Sequence, residues 1–321
     1  MNLASLRYLV EAADAGTLQA AARRLGVTQP TLSTQLSRLE AELDATLLER
    51  GPRGVRPTEA GRRVLAEAGP LLDAEARLRA AAREPGQPLA GDLRLGALPT
   101  IGPYAMPTLL PRLRAAYPGS RLLLREENTQ TLLRRLAAGA HGAGVTVDAA
   151  LLATPLDAPG LHRVPVAREP LRAVLPSGHP LATGGGPVAV DALAAEPMLL
   201  LEDGHCLREQ TVALCRRGGG GGPGGGSGSG SGGGTRGPGD WDATSVESLR
   251  QMVAAGIGCA VLPEMAVAGR FARVAGVAVR PIRGGPTRSL VLAFRESHPR
   301  FGALRKLGHA LRGWLGGESR G

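Results

Sequence analysis

No segment of these 321 residues is apolar enough to cross a bilayer; runs such as Met198–Leu201 fall far short of the roughly 20 residues a membrane helix needs. Met1–Val10 lacks the basic start, apolar stretch and small-residue cleavage site of a signal peptide, so the chain is expected to stay in the cytoplasm. Three cysteines in that compartment are not a structural disulfide framework, and any bridge among them would be transient and redox-sensing. Internal repeats are absent. Lysine is nearly absent too: Lys306 is the single example, and arginine supplies the rest of a net charge of +10 and a pI near 10.9. That charge suits a polyanionic partner. The abundance of Ala, Gly, Pro and Arg is also what a GC-rich coding sequence gives, so charge alone decides little.

Three parts are present instead. Residues 1–57 are helical sequence with Arg-rich turns. Residues 58–84 form a long helical pattern that ends at the Pro/Gly hinge Glu84-Pro85-Gly86-Gln87-Pro88. From Gly91 onward, β-like runs (Leu93–Leu98, Arg121–Leu124, Ala149–Leu152, Met198–Leu201, Ala260–Leu262, Leu290–Phe294) alternate with helical stretches, which predicts an α/β fold with mainly parallel sheets. One low-complexity tract interrupts this order. Gly218–Gly239 holds 15 glycines in 22 residues and is expected to be a tether that buries no core and is dispensable for folding. A smaller insertion near His141–Val147 reads as a surface loop.

The densest pattern lies between residues 18 and 43. Leu18–Leu25 is a short helix with small alanines, closed by Gly26, a residue that takes the left-handed conformation of a helix end. Thr28 offers an N-cap hydroxyl, and Pro30 sits in the first turn of the next helix, where its missing N–H costs nothing. Leu32, Leu36, Leu39 and Leu43 recur at helical spacing and predict one buried stripe. The other face carries Gln29, Thr31, Ser33, Thr34 and Arg38, side chains of the kind that read base edges and grip phosphate in a major groove. The turn from Arg50 to Arg56, with Arg53 at its tip, suits a wing on the backbone of double-stranded DNA. A plain amphipathic helix pair would need none of these features in this order.

This block resembles the LysR-type transcriptional regulators. The resemblance runs through Ala21–Leu25, Thr28–Ser33, Leu39-Glu40, Leu47–Arg50 and Pro57–Gly61. It implies a winged helix-turn-helix at 1–58, with Thr28, Gln29, Pro30, Thr31, Ser33, Thr34, Arg38, Arg50 and Arg53 facing DNA. A linker helix at 58–90, capped by Thr58, would pair two subunits. Val64, Ala68, Leu71, Leu78 and Ala82, interrupted by Glu75, suit its dimer seam; a buried intramolecular helix is the alternative. The remainder, 91–321, would be a regulatory domain of two Rossmann-like halves, the first combining about 91–168 with 271–321 and the second about 169–270. No metal or cofactor is implied.

Within that remainder, Leu201-Glu202-Asp203-Gly204-His205-Cys206-Leu207-Arg208, with Cys215, resembles the peroxide-sensing members of the LysR type. Pro99–Tyr104, Ala243–Ser245 with Glu247, Leu249-Arg250 and Met252–Gly256, and Pro286–Leu290 extend the match. By resemblance Cys206 is the cysteine that peroxide oxidises and Cys215 the one that resolves it, with His205, Thr100 and Arg288 activating the thiolate, and a cellular thiol reductant resetting the pair. Position at a helix start beside a cationic neighbour favours thiolate over thiol. Nine positions apart on one helix, the two cysteines would lie roughly 13 Å apart along the axis and on opposite faces. A disulfide needs Cα atoms within about 7 Å, so bridging must unwind the segment. Cys259 reads as a buried apolar residue. The resemblance implies a homo-oligomer, a dimer of dimers, that answers hydrogen peroxide and is not an enzyme. Two alternatives stand beside it: a regulator of the same type that answers a small metabolite, and a thiol peroxidase, which would leave the helix-turn-helix without a purpose. The Gly218–Gly239 tract and Asp240-Trp241-Asp242 depart from the family pattern directly behind Cys215.

Overall fold

Each N-terminal helix begins where a short polar side chain supplies a missing acceptor. Asn2 accepts from the Ser5 N–H and opens α1 (Leu3–Ala15); Thr17 accepts from Ala20 and opens α2 (Leu18–Leu25); Thr28 accepts from Thr31 and opens α3 (Gln29–Glu42). Gly16 and Gly26 end the first two in the left-handed region, at φ 68° and 67°. The structure, a computed structural model, describes residues 2–51, 54–81, 88–138, 146–156, 158–217, 242–272 and 274–316.

Leu32, Leu36 and Leu39 pack with Leu6, Leu9, Ala12, Ala21 and Ala22 in one core. Leu43 does not join them. The helix stops at Glu42, Asp44 turns the chain at φ 47°, and Leu43 is left exposed. Two strands, β1 (Leu48–Gly51) and β2 (Gly54–Pro57), form the antiparallel wing. Gly54 fits where no other residue would: its φ is +108°, and a Cβ would stand 2.1 Å from the Gly16 carbonyl oxygen. That same oxygen accepts from the Val55 N–H at 2.7 Å, which seats the wing on the α1–α2 turn.

Thr58 caps α4 (Glu59–Ala81) by accepting from the Gly61 N–H at 2.9 Å. The expected seam on this helix divides. Ala68 is buried with Leu72 in the core of the N-terminal domain and Val64 packs against it, while Leu71 and Leu78 are exposed. Glu75, which breaks the heptad spacing, is ion-paired with Arg7 of α1. Ala82 and the hinge at 84–87 lie outside the described residues.

The rest comprises β3 (Gly91–Ala97), α5 (Gly102–Ala116), β4 (Ser120–Glu126), α6 (Thr129–Ala138), β5 (Ala149–Ala153), β6 (Leu161–Pro176), α7 (Pro180–Thr183), α8 (Val190–Ala194), β7 (Leu200–Leu201), α9 (Cys206–Arg217), β8 (Asp242–Ala243), α10 (Val246–Ala254), β9 (Ala260–Pro263), β10 (Val277–Pro281), β11 (Thr287–Arg295) and α11 (Phe301–Gly316). The main sheet runs β10-β6-β11-β5-β3-β4, with β9 added to β6, and β7 pairs β8 apart from it. Pairing is parallel for β3–β4, β3–β5 and β7–β8 and antiparallel for β11–β5, β11–β6, β10–β6 and β6–β9, so the expectation of mainly parallel sheets is not met.

The cause is β6, a 16-residue strand that the β-like runs of the sequence did not include. Proline cannot donate to a ladder, and β6 contains Pro165 and Pro170; the register against β11 shifts opposite Ala167 and Pro165, and this irregularity absorbs the missing donor of Pro165. One half of β6 pairs β11 beside a core that includes Leu93, Leu109, Leu151, Leu292 and Leu307. The other half pairs β9 and β10 beside a second core that includes Val174, Leu199, Leu249 and Leu262. The strand thus runs from one core into the other, and the residues near its midpoint lie where the candidate site forms. No helix among the described residues is long and apolar enough to cross a membrane.

Candidate DNA-binding surface and redox site

Of the side chains predicted to face DNA, Thr28, Gln29, Pro30, Thr31, Thr34 and Arg38 are exposed on α3 or its cap. Ser33 is half-buried and already engaged, accepting from Arg50 Nη1 at 2.9 Å. Arg50 also donates to Ser37 and pairs with Glu40 at 3.5 Å. Arg50, expected to face DNA from the wing, therefore also ties β1 to α3. Glu40 accepts from the Leu47 and Leu48 N–H groups and fixes the chain entering the wing. Arg53 lies outside the described residues.

The second site assembles around Arg288, whose side chain is fully buried near the start of β11. Its Nε donates to Glu169 Oε2 at 2.7 Å, Nη1 to Thr100 Oγ1 at 2.9 Å and Nη2 to the Thr100 carbonyl at 2.9 Å. Three distant segments meet through one guanidinium: the loop before α5, the middle of β6 and β11. Because Thr100 Oγ1 accepts from Arg288, its own hydrogen is left to donate elsewhere. Glu169 also accepts from the Met265 N–H at 2.9 Å; burial pushes its carboxyl above the usual range, against the opposing pull of Arg288 and Met265.

Cys206 is the first residue of α9, half-buried, and packs against the core beside β3 and β11. Cys215, on the same helix, is buried in the other core. The two thiols thus face different cores from opposite sides of one helix, and all three cysteines are free. Burial pushes the Cys206 thiol above the ordinary range, while the Arg288 charge and the neighbouring Thr129 hydroxyl pull toward the thiolate. Among the described residues, the Thr129 hydroxyl oxygen is buried with no hydrogen-bond partner, as is Gln210 Oε1 one turn along α9. Burial lowers the His205 pKa, which leaves a neutral imidazole beside Cys206, in place of the cationic neighbour expected from the sequence. Burial likewise raises Cys215, and raises Cys259 to about 11, which suits a core residue.

Gly204 shapes the loop before Cys206. Its φ is +90°, and a Cβ would stand 3.2 Å from Asn128 Nδ2. Gly204→Ala is expected to cost about 1–3 kcal/mol of stability, from backbone strain, and to slow Cys206 oxidation by displacing the loop. Thermal unfolding together with the rate of thiol loss checks this; unchanged values in both would contradict it. Among the described residues, no group of His, Cys, Asp or Glu is arranged to hold a metal ion.

Comparison with known proteins bears on both sites. Residues 3–62 match the family described as "Bacterial regulatory helix-turn-helix protein, lysR family", and residues 86–316 match "LysR substrate binding domain". The chain belongs to the LysR family. It is thus a DNA-binding regulator by family, not an enzyme. This LysR chain is 35% identical over 313 residues to the "Hydrogen peroxide-inducible genes activator" of Dickeya chrysanthemi, covering 97% of this chain and 95% of that one. A solved full-length OxyR variant from Pseudomonas aeruginosa superposes with a TM-score of 0.75 at 31% identity, covering 97% of this chain and 98% of the other. A Corynebacterium glutamicum OxyR mutant in its hydrogen peroxide-bound form gives 0.59 at 31% identity, covering 98% and 94%.

Thr129, Glu169 and Gln210 were not singled out in the sequence. Glu169 had a signal: an acidic residue between Arg168 and Pro170, amid apolar sequence, is costly to bury unless something pairs it. Nothing local marks Thr129 or Gln210.

Proposed function

We propose that this LysR-family chain is a peroxide-responsive transcription regulator, which signals through oxidation of Cys206 and its bridging to Cys215. The carrying observation is the placement of Cys206 at the start of α9, under the charge of Arg288 and the Thr129 hydroxyl, with Cys215 on the opposite face of the same helix. The Cys206 thiolate attacks one peroxide oxygen, the O–O bond breaks, and the departing oxygen leaves as water once protonated. The product is a sulfenic acid. In this reading the Thr100 and Thr129 hydroxyls donate to the peroxide oxygens, and neutral His205 passes a proton to the leaving one. Cys215 sulfur then displaces hydroxide from Cys206 sulfur, releasing a second water and leaving a disulfide. Two thiols supply the two electrons that peroxide takes, and a cellular thiol reductant returns them.

The winged helix at 1–58 binds double-stranded DNA. The linker at 58–90 joins subunits through Leu71 and Leu78, and the regulatory region has halves at about 91–168 with 271–321 and about 169–270. A dimer of dimers in the cytoplasm fits this arrangement. Stoichiometric peroxide should remove two free thiols per subunit and change the DNA footprint at the same time. A footprint that changes with Cys206 still reduced would contradict the proposal.

On DNA, Gln29→Ala is expected to reduce discrimination at one base pair by about 1–3 kcal/mol, because an exposed amide in the first turn of α3 can reach a base edge. Arg38→Ala should weaken all sequences alike and lower the salt slope by about 1. Binding measured over a salt series on matched and mismatched operators separates them; exchanged phenotypes would contradict the assignment.

A further inference from the structure

Arg208 lies in the first turn of α9, two residues beyond Cys206, and its side chain leaves the helix to reach a different element. Nη1 donates to the Leu201 carbonyl at 2.7 Å and to Asp242 Oδ1 at 2.7 Å. Nε pairs with Asp203 at 3.0 Å, but that carboxylate is 93% exposed and contributes little. Asp242 is 21% exposed and Arg208 25%, so their pair is partly shielded from water. Leu201 and Asp242 belong to the two strands of one short ladder: Leu200 is opposite Asp242, Leu201 is opposite Ala243, and the Glu202 N–H donates to the Ala243 carbonyl. A single guanidinium therefore fastens the turn that carries Cys206 to both β7 and β8.

Helical geometry holds Cys206 and Cys215 on opposite faces, so bridging requires the turns between them to open. Arg208 lies inside that interval and cannot keep both its acceptors while the helix opens. An interaction made in only one of two arrangements biases the equilibrium by its full free energy.

We propose that Asp242 is a positioning residue for the redox reaction: through Arg208 it holds the first turn of α9 closed and sets how readily oxidised Cys206 meets Cys215. This rests on the peroxide reading above. The attack on peroxide is made at Cys206 before the helix opens, so Asp242 acts on closure of the disulfide and not on formation of the sulfenic acid.

The test uses the full-length chain with Asp242→Asn, Asp242→Glu and Arg208→Gln. Asp242→Asn keeps the shape of the pair but removes its charge, so amide exchange at 207–211 in the reduced protein should quicken about fivefold, the loss of a charge-assisted hydrogen bond. Disulfide closure should quicken by a similar factor. Sulfenic acid formation, trapped with a dione reagent in a Cys215→Ser background, should stay within about twofold of the parent, since Arg288 and Thr129 are untouched. Arg208→Gln should give the same two shifts, and Asp242→Glu should restore parental closure, which a merely structural role would not do. Unchanged exchange and closure in both Asp242→Asn and Arg208→Gln would overturn the proposal, as would faster sulfenic acid formation matching the faster closure. If the parent protein forms no bridge between Cys206 and Cys215, the peroxide reading fails and the proposal falls with it. The reduced-state exchange, which needs no peroxide, then reports separately on whether the clasp holds α9.

Discussion

Arg288→Ala is expected to cost about 3–5 kcal/mol of stability and to slow Cys206 oxidation severely. The guanidinium is fully buried and makes three hydrogen bonds, to Glu169 and twice to Thr100. Removing it leaves the Glu169 carboxylate buried without its counter-charge, and breaking one partner of such a pair is what costs most. The same change deletes the charge that opposes burial at Cys206, so the thiol pKa climbs further and the thiolate fraction at neutral pH falls. A double variant, Arg288→Ala with Glu169→Gln, should recover part of the stability, because no charge is stranded, but none of the reactivity. Denaturant unfolding and stopped-flow thiol loss read the two effects apart. Recovery of reactivity in the double variant would show that Arg288 acts only as a brace. Since burial already raises the Cys206 pKa, the rate in the unmodified protein should keep climbing with pH through the ordinary thiol range and level off only above it.

Cys206→Ser should lose the peroxide response altogether. A hydroxyl has no accessible anion near neutral pH to attack the O–O bond, and among the described residues no cationic side chain lowers the pKa of Cys215 or Cys259. Cys215→Ser should behave differently: Cys206 still reacts, but its sulfenic acid finds no thiol and persists or over-oxidises. Reporter induction, combined with mass spectrometry of the intact subunit, distinguishes these outcomes. A retained response in Cys206→Ser would instead favour a metabolite signal.

How much of this was legible beforehand depends on how local each signal is. Thr28, Gly26 and Pro30 act within a few residues of themselves, and the helix boundaries they imply match α2 and α3. Leu43 failed because the end of α3 is fixed from outside the helix, by the turn at Asp44 and the grip of Glu40 on Leu47 and Leu48. β6 was hidden because two prolines argue against a strand, and only the assembled ladder accommodates them: the register against β11 shifts at Pro165, and Pro170 sits opposite Thr287, the first residue of β11. At the redox site, Cys206, Cys215, Thr100 and Arg288 came from motif resemblance. The partners that surround them did not: Glu169 and Arg288 are 119 positions apart, and no pattern in one segment reports on the other. The burial that opposes thiolate formation at Cys206 is hidden for the same reason, since burial is a property of the assembled site.

The central claim, that oxidation closes Cys206 on Cys215 by opening α9, is tested most directly by hydrogen exchange on residues 206–215, before and after one equivalent of peroxide, with the bridge mapped in the same samples. The account predicts a Cys206–Cys215 disulfide together with loss of protection across those residues, because the intact helix keeps the two thiols in different cores. A mapped bridge with protection unchanged, or a bridge that uses Cys259, would contradict it.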